Sequence, residues 1–89
     1  MNVTYNKKFL KDLKALQSIE AYEKICNLVL EEIPNVEDLS TIANLSRLKG
    51  EDTAYRIRVG DYRIGIVSDG SVVTFTRVLY RREIYRNFP

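Results

Sequence analysis

Tyr55-Arg56-Ile57-Arg58-Val59-Gly60-Asp61-Tyr62-Arg63-Ile64-Gly65-Ile66 sets the strand pattern from which the rest of the chain can be placed. Apolar and aromatic residues alternate with arginines on both sides of Gly60-Asp61, which reads as two strands joined by a two-residue turn. Pairing Val59 with Tyr62 sets Arg58 opposite Arg63 and Arg56 opposite Gly65. Successive side chains in a strand point to opposite faces, so the three arginines share one face. Like charges placed directly opposite each other repel, at a cost below about 1 kcal/mol per pair. A sheet that gathers them there calls for an anionic partner.

Working outward, Ser68-Asp69-Gly70-Ser71 supplies a second tight turn, with Asp-Gly as its signal, and Val72 to Leu79 forms the last long strand. Pairing Ser68 with Ser71 sets Ile64 beside Phe75 and Ile66 beside Val73. The core face then holds Tyr55, Ile57, Val59, Tyr62, Ile64, Ile66, Val73 and Phe75. The other face holds Arg56, Arg58, Arg63, Gly65, Val67, Val72, Thr74 and Thr76, with Gly65 and the threonines as an open, low floor beneath the arginines. Arg77 falls at the margin of the apolar face and is expected to form a structural salt bridge.

The first half has a different period. After a short candidate strand, Asn2 to Tyr5, the residues Phe9, Leu10, Leu13 and Leu16 form one apolar stripe, predicting a helix capped by Asn6. Ser18 offers a second cap. Ile19, Tyr22, Cys26, Val29 and Ile33 then recur at helical spacing until Pro34, so two helices form an antiparallel hairpin over the apolar sheet face. Asn35 to Ala43 is read as a third short helical segment, Leu45 to Leu48 as a weak strand, and Tyr80 to Pro89 as a tail with one helical turn. The expected class is α+β: an N-terminal helical hairpin on one face of a small, mainly antiparallel sheet of four to five strands, in one domain over residues 1–89.

Net charge is only +2, but its distribution is uneven. Residues 1–46 hold five lysines and seven acids, and residues 47–89 hold nine Lys or Arg and five acids. Every arginine lies in that second segment, and arginine is the better cation for two-pronged contact with phosphate. The chain has no histidine and one cysteine, which removes the commonest general base and the usual zinc ligands. No cofactor and no metal are expected. Cys26, on the buried stripe with no histidine to activate it, reads as a packed thiol. No apolar run reaches the roughly 20 residues that span a bilayer, and no leader pattern opens the chain, so a cytoplasmic location without membrane contact is expected.

A helical hairpin, then Leu48-Lys49-Gly50, Tyr55-Arg56-Ile57-Arg58, Asp61-Tyr62-Arg63-Ile64 and Val78-Leu79-Tyr80-Arg81-Arg82-Glu83-Ile84-Tyr85 together resemble the RelE/ParE superfamily of bacterial toxins, over nearly the whole chain. The pattern is closer to RelE, whose members cut messenger RNA in the ribosomal decoding site, than to ParE, whose members poison DNA gyrase. The resemblance implies catalytic roles for Arg56, Arg58, Arg63, Arg81 and Tyr85, with Arg81 acting as an acid and Tyr85 stacking on a base. It further implies RNA contacts for Lys49, Tyr80 and Arg82. Two departures stand out: RelE members can carry lysines at the positions of Arg56 and Arg58, and many relatives have Gly-His-Arg where this chain has Leu79-Tyr80-Arg81.

The chemistry fits in part. Cleavage of RNA by its own 2′-hydroxyl requires proton abstraction, charge stabilisation on a pentacovalent phosphate and protonation of the leaving oxygen. Fixed arginines suit the second task. They suit the first poorly, because a guanidinium stays protonated. The expectation is therefore a type II toxin acting as a ribosome-dependent, metal-independent endoribonuclease. Its partners would be a cognate antitoxin, the ribosome and mRNA, with operator DNA reached only through the antitoxin complex. The alternatives are a gyrase inhibitor, or a non-catalytic module that binds antitoxin and co-represses.

Overall fold

The computed structural model describes residues 1–89. Five strands form one sheet in the order β1-β5-β4-β3-β2: β1 (Asn2–Tyr5), β2 (Leu45–Arg47), β3 (Ala54–Val59), β4 (Tyr62–Ser68) and β5 (Val72–Tyr80). β1 runs parallel to β5, and every other pairing is antiparallel. Helices α1 (Lys7–Ala15) and α2 (Tyr22–Asn27) precede β2, and α3 (Arg81–Asn87) follows β5. The expected α+β class and the helical hairpin are therefore observed.

Asn6 caps α1 as its sequence suggests, its side-chain oxygen accepting from the Phe9 N–H at 2.8 Å. Ser18 does not cap α2. Residues 16–21 instead run through successive tight turns, with Ile19 N–H donating to the Leu16 carbonyl and Tyr22 N–H to that of Ile19. α2 then widens into a π-helical turn over Leu28–Glu32 and ends in a 3-10 turn at Ile33–Asn35, where Pro34 has no N–H to extend the ladder. Its deepest residues are Ile25, Val29 and Ile33; Cys26 is only half-buried beside them. The third helical segment is reduced to a 3-10 turn at Leu39–Thr41, capped by Asp38.

These helices cover the apolar sheet face. Phe9, Ile25, Val29, Ile57, Ile64, Ile66, Phe75 and Val78 lose essentially all contact with solvent. Each such aliphatic or aromatic side chain contributes about 1.5–3 kcal/mol on full burial. Tyr5 stacks on Phe75 with ring centroids 5.0 Å apart and donates its hydroxyl to the Val29 carbonyl at 2.6 Å, tying β1 to α2. Burial raises its phenol above the usual tyrosine pKa, and Glu31 adds to the shift.

The first hairpin has the expected register: Val59 faces Tyr62, Arg58 faces Arg63, and Arg56 faces Gly65. Gly60 enters the turn at φ 59°, a conformation that glycine adopts without steric cost. The second hairpin differs. Ser68 pairs with Val73 rather than Ser71, so Ile66, not Ile64, lies beside Phe75. The cause is Asp69, whose carboxylate accepts from Ser71 N–H, Val72 N–H and the Ser71 hydroxyl and so lengthens the loop. A slip of two residues preserves the faces.

A bulge then follows, opposite Gly65-Ile66, after which Gly65 pairs with Arg77 and Ile64 with Val78. Asp12 of α1 fixes it, accepting from Arg77 Nε at 2.7 Å, from a second guanidinium nitrogen at 3.1 Å and from Val78 N–H at 3.1 Å. Arg77 is thus the structural ion pair foreseen for it, and the Asp12 hydrogen bond holds its guanidinium above its already high pKa.

The opposite face is not the open floor that strand alternation suggests. α3 folds back across it, and Ala54, Ile84 and Phe88 form a second small core with Leu48, Val67 and Leu79 packed against it. The Phe88 ring rests directly on Gly65, which is buried. Thr76 donates its hydroxyl to the Gly65 carbonyl at 2.9 Å. The tail forms two helical turns rather than one, because Ile84 and Phe88, four residues apart, both find apolar surface there.

Candidate functional site

The part of this face that α3 leaves uncovered is a cleft of about 380 Å3 lined by Asn44, Leu45, Ser46, Arg56, Arg58, Arg63 and Tyr85. Three strands build its base. β3 supplies Arg56 and Arg58, β4 supplies Arg63, and edge strand β2 with the residue before it supplies Asn44, Leu45 and Ser46. α3 supplies Tyr85 as a wall.

The electrostatics are one-sided. The ion pairs of the protein are Arg77 with Asp12 and, at 3.9 Å, Arg81 with Asp61. Arg56, Arg58 and Arg63 have no carboxylate partner, and no acidic residue lines their cleft. Arg63 is held in place by donating to the carbonyls of Gly60 (2.7 Å) and Tyr62 (3.0 Å). The Arg56 guanidinium lies over the Tyr85 ring, 5.1 Å from its centroid. Tyr85 is nonetheless 69% exposed, which leaves its other face available to a planar ligand. Such a cluster of unpaired cations, with Arg56 and Arg63 steadied by these contacts, attracts phosphate and stabilises growing negative charge on it.

The residues singled out in the sequence separate here. Arg56, Arg58, Arg63 and Tyr85 come together in the cleft. Lys49 lies in an adjoining groove, with Arg56 and Tyr85 shared between the two. Arg81 sits at the Gly60-Asp61 turn, where its N–H donates to the Asp61 carbonyl at 2.8 Å. Arg81 and Arg82 lie 5.9 and 6.0 Å from the centroid of Tyr80, whose ring stands edge-on to Tyr62. Asn44, Leu45 and Ser46 are the lining residues that strand patterning did not assign to the site, and Phe88 is the unassigned residue that holds α3 over the sheet. Only Phe88, at helical spacing from Ile84, had a visible signal.

The family model described as "ParE toxin of type II toxin-antitoxin system, parDE" matches residues 3–85. The chain belongs to the RelE/ParE toxin family. It is a toxin of the type II class, and its RelE side is supported by a curated relative, Toxin RelE3 of Methanocaldococcus jannaschii, 41% identical over 90 residues and covering all of both chains. Putative toxin RelE1 of the same archaeon is 30% identical, over 97% of this chain and 96% of its own. Both of these relatives are archaeal. Among solved structures, the RelE/ParE fold seen here is similar to the RelB-RelE antitoxin-toxin complex from Methanococcus jannaschii, with a TM-score of 0.77 and 40% identity, covering 97% of this chain and 99% of that one. The E. coli DinJ-YafQ complex has a TM-score of 0.74 at 17% identity, over 94% of this chain and 97% of that one, which bears on the fold alone. No helix of this toxin is long and apolar enough to cross a membrane.

Proposed function

We propose that this toxin is an endoribonuclease that cuts messenger RNA on the ribosome and is neutralised by a cognate antitoxin. The observation that carries the reading is the convergence of Arg56, Arg58 and Arg63, all without carboxylate partners, beneath the exposed ring of Tyr85. The arginines hold the scissile phosphate and stabilise its charge in the transition state. Tyr85 stacks on an unpaired base, the usual way of holding single-stranded RNA. Arg81 stands outside the cleft lining, at the Gly60-Asp61 turn and 3.9 Å from Asp61, and can serve as the acid only by leaving that partner. The cleft lining offers no carboxylate or imidazole to abstract the 2′-proton. That lack supports ribosome dependence, since ribosomal RNA can complete the constellation.

The antitoxin partner is supported by the RelB-RelE complex to which this chain is similar. Induction of the chain alone should stop amino-acid incorporation and leave cut transcripts, and Arg56→Ala with Arg63→Ala should abolish both effects. Arrest by the double variant equal to that of the unmodified chain overturns the site. A second reading, a gyrase-directed toxin, is favoured by the ParE description of the matching family. It predicts DNA-damage signalling with translation intact, so early amino-acid incorporation separates the two.

A further inference from the structure

We infer that Asn44, assisted by Ser46, reads the edge of the base that stacks on Tyr85, so that edge strand β2 sets the base preference of the cleft. This rests on the endoribonuclease reading above.

Three observations lead there. First, Asn44 is the sole non-glycine residue with positive φ, at 64°. Asparagine tolerates this conformation better than other side chains, usually with the help of a local hydrogen bond. Asn44 makes no such bond. Asn6, Asn35 and Asn87 commit their side chains to backbone groups, whereas the exposed Asn44 amide, like those of Asn2 and Asn27, has no partner in the protein, and neither has the exposed Ser46 hydroxyl.

Second, the backbone around Asn44 is fixed. Its carbonyl accepts from the Arg58 N–H at 3.2 Å, continuing the register in which Leu45 faces Ile57 and Ser46 faces Arg56. Asn44 thus lies in line with Arg58 and Arg63, and Ser46 in line with Arg56. With its backbone pinned, Asn44 has only its side-chain rotamers left to order on meeting a partner.

Third, the cleft is divided by chemistry. Its centre is cationic, one wall is the Tyr85 ring, and the β2 side holds the free amide and hydroxyl. A nucleotide with its phosphate on the arginines and its base on Tyr85 has that base's polar edge left to satisfy, and β2 bounds the same space. An asparagine amide presents a donor beside an acceptor, the complement of adenine's amino group and ring nitrogen. Adenine is the base we expect to be favoured.

The test uses the full-length purified toxin with programmed ribosomes, and mRNA ends are sequenced for the unmodified chain, Asn44→Gly and Ser46→Ala. Glycine retains the left-handed backbone and removes only the amide. The readout is the ratio of cuts beside adenine to cuts beside the least favoured base, which is independent of overall rate. An adenine preference that falls about tenfold in Asn44→Gly supports the inference. An unchanged ratio, or a preference for another base that Asn44→Gly leaves intact, overturns it while leaving the endoribonuclease reading in place. If the unmodified chain cuts nothing on ribosomes, both fail.

Discussion

Phe88 packs against Gly65, so close that a β-carbon at position 65 would sit 2.7 Å from its ring. The contact closes the second core and fixes α3 over the sheet, since Arg81 N–H already anchors the other end of that helix to Asp61. Gly65→Ala should therefore expel the ring and cost about 1–3 kcal/mol of stability. It should also shift Tyr85 and lower RNA cutting. Urea denaturation checks the first effect. Because the two residues share one contact, Gly65→Ala combined with Phe88→Ala should cost less than the sum of the single changes.

The arginine cluster carries a stability cost that the proposed RNA cutting would explain. Arg58 faces Arg63 directly across the β3–β4 ladder. Arg58→Thr removes a like-charge pair and puts a good strand former at an exposed site, so it should stabilise the fold by about 0.5 kcal/mol. The same change should lower RNA cutting by about 100-fold, the scale seen when one fixed donor to a transition-state oxyanion is lost. Melting temperature and growth arrest measured side by side should move in opposite senses. A variant that loses both would place Arg58 in the scaffold.

Tyr85 separates function from folding in a different way. At 69% exposure it contributes little to stability, and Tyr85→Ala should shift it by less than about 0.5 kcal/mol. Loss of a base-stacking platform should still weaken RNA engagement by about tenfold. Tyr85→Phe keeps the ring and should retain that affinity. A cutting rate for the phenylalanine variant as low as for alanine would assign the hydroxyl a role in proton transfer.

Asp12 joins α1 to the β5 bulge through three hydrogen bonds, and both members of its ion pair are mostly buried. Asp12→Ala leaves Arg77 without its counter-charge and Val78 N–H without an acceptor. The expected loss is about 2–3 kcal/mol. Asp12→Asn retains one acceptor and should lose less. Chemical denaturation of both variants ranks them.

With no histidine in the chain, stability should be nearly flat between about pH 5 and 9. Backbone N–H donors hold Asp38 and Asp69 below the ordinary carboxylate pKa: Ser40 for Asp38, and Val72 followed by Ser71 for Asp69. A depressed folded pKa stabilises above the unfolded value, about 4, and that contribution disappears as pH falls through the folded one. Tyr5 has the opposite sign. Its folded pKa is raised, first by burial, so stability should fall as pH climbs above about 10. Thermal unfolding from pH 2 to 11 should show a plateau with two shoulders. A midpoint that moves sharply near pH 6 would contradict this.

Features that depend on neighbours along the chain were legible in the residues alone. Period-two alternation around Gly60-Asp61 set which residues of β3 and β4 share a face, and a two-residue turn left one register, so the clustering of Arg56, Arg58 and Arg63 was readable before any coordinates. The Asn6 cap and the α1 stripe were local for the same reason. The tertiary structure alone decided what joins distant segments. Asp12 pins a bulge 65 residues away, β1 adds in parallel beside β5, and Phe88 finds Gly65 on a face that alternation had left open. The resemblance assigned Arg81 and Tyr85 to one catalytic site, as acid and base-stacking ring, whereas the fold of α3 sends Arg81 to the hairpin turn and Tyr85 onto Arg56. No local pattern encodes such contacts, because their energy comes from surfaces that meet only once the sheet exists. The sequence announces an arginine face, and the return of α3 across it leaves the cleft.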